Sequence, residues 1–142
     1  MGKGAAFEQS FLKLIFNATS IANIADNTAS SPITNIYVSL HTADPTASGT
    51  QSTSEATYTG YARVAVARTT AGWTVTGNSV SPAATISFPA CTGGTNTITN
   101  FAVGSASTGA GEIFYTGTVT PNISVASGVT PQLTTASTIT ES

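Results

Sequence analysis

His41 and Asp44 form the one His–carboxylate pair close together in this sequence, and general-base chemistry would have to begin there. A catalytic triad would also need a nucleophile on a strained turn, and no Gly-x-Ser-x-Gly motif occurs. The residue types favour a strand-end histidine hydrogen-bonded to its own loop. Cys91 is the single cysteine, and it shares no metal-ligand spacing with the single histidine. A lone thiol closes no intrachain disulfide and reads as buried and inert. Gly109-Ala110-Gly111 lacks the third glycine and the following helix of a dinucleotide loop, so it reads as a turn. Asn17-Ala18-Thr19 and Asn122-Ile123-Ser124 match glycosylation acceptors, but no signal-peptide apolar run is legible upstream, because Glu8 and Gln9 interrupt it. The expectation is a protein without catalytic, cofactor-binding or metal residues, in which His41→Ala or Cys91→Ser leaves folding essentially intact.

The two arginines suggest a different chemistry. Arg63 and Arg68 lie in or beside an alternating segment, Tyr61–Ala67. On a strand, Tyr61 and Arg63 share one face while Val64 and Val66 share the other. Arg and Tyr are enriched at protein–protein interfaces, so Tyr61, Arg63 and Arg68 are candidate partner contacts. Trp73, the sole tryptophan, reads as core.

Composition sets the wider limits. Of 142 residues only ten are charged, while 27 are Thr, 17 Ser and 21 Ala, and the net charge is −2. Soluble domains usually carry about a quarter charged residues. Two Lys and two Arg cannot build a basic stripe for phosphates, so direct nucleic-acid binding is not expected. No stretch reaches the roughly 20 apolar residues of a membrane helix, so no membrane partner is expected. Thr, Val and Ile together number 46, and these β-branched residues suit a pleated surface.

The elements follow from periodicity. Residues 5–17 place Phe7, Phe11, Leu14 and Ile15 at helical spacing, widened by Leu12 and Phe16, which predicts an amphipathic N-terminal helix. That load of apolar side chains makes Phe7, Phe11, Leu14 and Ile15 candidate partner contacts, unless the protein's own sheets cover them. After Pro32 the period becomes two: Ile36, Val38 and Leu40 alternate with Asn35, Tyr37 and Ser39. Similar patterns recur at 61–67, 73–76, 85–88, 97–103, 112–119, 123–125 and 132–140. The predicted fold is all-β, a β-sandwich or jelly roll of about eight strands over 33–140 preceded by the one helix, in a single domain. Residues 41–60 form a long polar loop of the kind that is usually functional or disordered.

Several ordered motifs run through these elements. Leu40-His41-Thr42-Ala43-Asp44-Pro45 is a Leu-x-Thr-x-Asp-Pro turn, and Gly60-Tyr61-Ala62-Arg63 is a Gly-Tyr-x-Arg strand entry. Ile86-Ser87-Phe88-Pro89, Ile98 to Val103, Gly111 to Gly117 and a closing Gly-x-x-Pro pair from Gly128 complete the series. In order and spacing the chain resembles a group of small tailed-bacteriophage virion proteins, known as capsid cement (decoration) or tail-fibre-like proteins. The resemblance implies a structural protein of the virion, assembled in the host cytoplasm. Its leading form is a cement on the outer surface of the head, bridging subunits of the major capsid protein and pairing with itself as a dimer or trimer. The alternative is a tail, tail-fibre or baseplate component; a soluble enzyme or carbohydrate-binding module is a third class.

Overall fold

The computed structural model describes residues 3–21, 25 and 32–142. Among them one helix, α1 (Ala5–Asn17), is followed by nine strands: β1 (Asn35–His41), β2 (Val64–Ala67), β3 (Trp73–Thr76), β4 (Ser79–Pro82), β5 (Ile86–Ser87), β6 (Asn96–Gly104), β7 (Ile113–Val125), β8 (Gln132–Leu133) and β9 (Ile139–Thr140). The fold is all-β with one short N-terminal helix. The chain forms two compact units, Met1–Asn35 with Val66–Thr85 and Thr134–Ser142, and Ile36–Ala65 with Ile86–Leu133.

The first unit is α1 on a three-stranded antiparallel sheet, β3-β4-β9. The helix turns Leu12 and Phe16 inward, both fully buried, and the Phe16 ring meets Trp73 edge-on at 4.8 Å. This shifts the centre of the apolar stripe from the position the spacing suggested: Phe7 is 43% exposed, and Phe11, Leu14 and Ile15 are half-buried. The helix ends at Ala18, which adopts a left-handed φ of +54° while the Thr19 N–H returns to the Lys13 carbonyl at 3.0 Å. Asn17 Nδ2 donates to the Trp73 carbonyl at 3.0 Å, tying the helix end to β3.

The second unit is organised on β1, β6 and β7 of the four-stranded sheet β2-β1-β6-β7, with the first residues of β2, and on a two-stranded ladder, β5-β8. Ile36, Val38, Leu40, Ile98, Phe101 and Val103 supply its interior. The inward set on β1 is the one its alternation predicts. Ser39 and His41, on the other face, are nonetheless 0% exposed, so the end of β1 is buried on both sides. What covers it is the long polar loop, which is a packed element: Gln51, Ala56 and Tyr58 are buried in it. Its backbone bonds to the strand, Ala56 N–H to Leu40 O and Thr42 N–H to Ser54 O, each at 2.8 Å. Asn96 Oδ1 accepts from the N–H groups of both Thr57 and Tyr58, holding the far end of the loop against β6.

The structure corrects one boundary that matters for the site. The strand expected over Tyr61–Ala67 begins at Val64, so Tyr61 and Arg63 lie in the approach to β2 and not on its face. Gly60 makes that approach possible: its φ is +96°, and a Cβ there would stand 2.8 Å from the Ala90 carbonyl oxygen.

Candidate functional site

Polar chemistry converges at one end of the second unit, where β1 runs into the long loop. Glu55 is its centre. Its Oε1 accepts from Arg63 Nε at 2.7 Å and from the Tyr61 hydroxyl at 2.9 Å, and its Oε2 accepts from Arg63 Nη2 at 2.8 Å. Arg63 therefore grips the carboxylate in two-pronged fashion, the strong geometry for this pair. Its remaining N–H groups reach the carbonyls of Ala106 (2.9 Å) and Gly109 (2.7 Å) in the β6–β7 loop. The Arg63 side chain is 2% exposed. Glu55 accordingly holds the guanidinium still more firmly protonated than usual.

Tyr61 completes the join. Its hydroxyl accepts from the Leu40 N–H at 3.1 Å while donating to Glu55. Burial pushes its phenol pKa up, so the proton needed for that donation stays in place. The Leu-x-Thr-x-Asp-Pro and Gly-Tyr-x-Arg motifs thus meet through Tyr61 and Glu55. On the turn itself, Asp44 Oδ1 accepts from the Thr46 N–H at 2.9 Å.

Beside this ion pair lies a second buried cluster. His41 Nδ1 is 2.8 Å from the Thr53 carbonyl, an atom that can only accept, so Nδ1 carries the proton. Nε2 is then the acceptor, and the Ser39 hydroxyl donates to it at 2.8 Å. Burial lowers the His41 pKa, overriding the Thr53 carbonyl and Glu55, which act in the opposite direction. Gln51 spans the same region: its Nε2 donates to Tyr37 O at 3.2 Å, its Oε1 accepts from Ala106 N–H at 3.0 Å, and its backbone N–H reaches Gly111 O at 2.9 Å.

The Ser39–His41 contact is the geometry of a nucleophile and its base, but both side chains are 0% exposed. A substrate cannot reach them. The arrangement serves to lock two exposed loops, 42–54 and 105–110, to the end of the sheet. The histidine does bond to its own loop, as its residue context suggested, but it is a core residue. Truncating it would leave buried polar atoms and a cavity, so the structure replaces the expectation that His41→Ala leaves folding intact with one of lost stability.

The other candidate contacts fall in the first unit. Arg68 turns inward, with Nη2 2.5 Å from Leu14 O and Nε 2.6 Å from Ile15 O. It thereby satisfies the free carbonyls at the end of α1 and sits where the helix dipole favours a cation. Burial lowers its pKa. Tyr61, Arg63 and Arg68 are therefore committed to contacts inside their own units, whereas Phe7, with Phe11 stacked on it at 6.2 Å, is presented outward. Trp73 is core, as read, and its Nε1 has no hydrogen-bond partner among the described residues. Cys91 is buried with Sγ 3.2 Å from the Gly93 carbonyl.

Sequence reasoning missed Ser39, Gln51 and Glu55. For Glu55 a signal existed: in a chain with six carboxylates, one standing eight residues before an arginine is a candidate partner for it.

A sequence model of the family described as "Podophage GP4 fiber I protein gp80" matches residues 15–140, nearly the whole of the chain and every element of both clusters. No curated protein matches it.

Proposed function

The chain belongs to the podophage GP4 fiber I protein gp80 family, a family of tailed-phage structural proteins, and on that premise we propose that it is a non-catalytic building block of the virion's fibre apparatus. The family's description carries this reading. It favours the tail-fibre alternative over the head-surface cement that the sequence motifs first suggested. The geometry agrees with a structural role. Among the described residues, the polar groups best arranged for chemistry are buried or largely buried and are spent on fixing loops.

The physical logic is that of a load-sharing module. A virion component must keep its contact surfaces rigid through repeated encounters. A buried ion pair that clamps two loops supplies rigidity without exposing charge. Neutral Thr- and Ser-rich surfaces can pack on neighbouring subunits through hydrogen bonds, with little cost of desolvating ions.

The test is location and copy number. Immunogold labelling of purified virions, with quantitative mass spectrometry of head and tail fractions, should find label on the tail apparatus and tens of copies or fewer per particle. Label spread over the head with hundreds of copies would overturn the fibre reading in favour of cement.

A further inference from the structure

The long loop over the end of β1 is held by two fastenings of different chemistry. Beyond residue 54 it rests on the Glu55–Arg63 pair, on the Ala56 N–H bond to Leu40 O and on Asn96. Over 42–54 only Pro45 and Gln51 are buried, so little apolar surface holds this stretch down. Its backbone is also strained: Thr46 and Ser54 sit at φ +63° and +54°, left-handed values that are costly above all for a β-branched residue. What fastens it is polar, and His41 is at the centre, with Thr53 O on Nδ1 and the Ser39 hydroxyl on Nε2. His41 is the chain's one histidine, the residue type whose charge ordinarily changes between about pH 5 and 8.

The site fits a neutral ring, with one nitrogen donating and the other accepting. A second proton turns Nε2 into a donor aimed at the Ser39 oxygen. Ser39 must then turn its own proton to Ala102 O, 3.5 Å away, beyond the ordinary range of such a bond. The new charge also has no exposure to water. Burial opposes it most; Glu55 and Asp44 on the loop favour it, Arg63 from the approach to β2 opposes it, and β6 sets the neutral Asn100 opposite.

We propose that His41 is an acid-operated latch: proton uptake by its ring releases residues 42–54 from the end of the sheet, while the Glu55–Arg63 clamp keeps the chain beyond them in place. Water reaches the ring when the segment carrying Thr53 lifts, and the strain at Thr46 and Ser54 is relieved in the same movement. Opening withdraws Gln51 from Tyr37 O, from the Ala106 N–H and from Gly104, against which it packs so closely that a Cβ there would collide with it. The 105–110 loop stays on Arg63 through the Ala106 and Gly109 carbonyls. Mild acid thus uncovers Ser39, His41 and Gly104 at one end of the second unit and leaves the rest closed. The inference is independent of where on the virion the protein sits.

Native-state amide hydrogen exchange of the full chain, compared at about pH 7.5 and about pH 5 with intrinsic exchange rates divided out, tests it. The N–H groups of Thr42, Gln51, Thr53 and Ala106 are bonded to Ser54 O, Gly111 O, Thr50 O and Gln51 Oε1. They should share one opening that hardly responds to low urea, the mark of a local event, and Ala56 and Tyr58 should stay outside it. An opened imidazole with the ordinary pKa of about 6.5 limits the gain at pH 5 to about thirtyfold, so the opened population should rise by about five- to thirtyfold. In His41→Gln, which keeps a donor and an acceptor but does not titrate, the opening should be the same at both pH values. If that variant does not fold, the wild-type pH profile decides: the rise should set in at about pH 6.5 and stay within about tenfold per pH unit, as one proton requires. The proposal is overturned if the four amides exchange only with global unfolding, at the urea dependence of core amides such as Val103, or if the opening takes in Ala56 and Tyr58. An opening equal at both pH values, one that rises only below about pH 5, or a rise that persists in His41→Gln overturns it as well.

Discussion

At the scale of residues, the chain confines much of its polar chemistry to two linked clusters, and each makes a measurable demand on stability. Glu55 and Arg63 are both largely buried, and losing one partner strands the other. Glu55→Ala or Arg63→Met should each lower stability by about 3–5 kcal/mol, while the double variant should cost clearly less than the sum. Denaturant unfolding checks this, and an additive double variant would deny the coupling. His41 adds a pH dependence whose sign is fixed by its burial. Its folded pKa lies below the ordinary 6.5. As pH falls below that value, the unfolded chain takes up a proton that the folded chain refuses, so the fold loses stability; well above it both states are neutral there and the contribution is constant. The wild type should therefore weaken progressively below about pH 6.5, and His41→Gln should flatten that part of the profile, from a lower starting stability. Of this site, the bond between His41 and its loop was legible in the sequence. The Glu55 clamp was not, because pairing across eight residues depends on how a twenty-residue polar loop is routed, and periodicity carries no information about that.

At the scale of elements, the helix shows what periodicity can and cannot reveal. Its bounds, Ala5 to Asn17, follow directly from the apolar spacing. Which side faces inward does not, because six large apolar residues wrap most of its circumference and only contact with β3 and β4 selects Leu12 and Phe16. The strand pattern has similar limits. Ser79-Val80-Ser81-Pro82 offers one apolar residue and ends in proline, so β4 left no alternation to read. Alternation through Tyr61 and Arg63 suggested strand where both side chains are drawn inward to Glu55. Arg68, marked as a partner contact by its residue type, acts as the C-terminal cap of α1. Arg68→Ala should cost about 1–3 kcal/mol, since it leaves the Leu14 and Ile15 carbonyls without their charged donor. Hydrogen exchange should quicken first in the last turn of α1, and a variant with unchanged stability and exchange would remove the cap from the account. The half-exposed face of Phe7, Phe11, Leu14 and Ile15 remains the part of the helix that a neighbouring subunit could cover.

At the scale of the molecule, the decisive feature is how the chain is threaded. It passes between the two units at 35–36, 65–66, 85–86 and 133–134, so neither unit is one continuous stretch. A cut at 85–86 makes the consequence testable. The N-terminal piece keeps α1, β3 and β4 but loses β9, which completes their sheet, and it keeps β1 but loses that strand's neighbour β6. The C-terminal piece keeps the β6–β7 pair but loses β1 and, with it, Glu55, Arg63 and the loop they anchor. Each piece is left with open sheet edges and exposed core residues such as Phe16 and Trp73 in one and Phe101 and Val103 in the other. A hairpin or a two-stranded remnant of this kind is at best marginally stable in water. Each fragment alone should therefore show the narrow amide dispersion of an unfolded chain in its proton NMR spectrum, and mixing the two should restore the dispersed spectrum of the intact protein. A well-dispersed spectrum from either fragment alone would mean that one unit holds together without the strands the other piece contributes, and that the interleaved threading is not what the fold depends on.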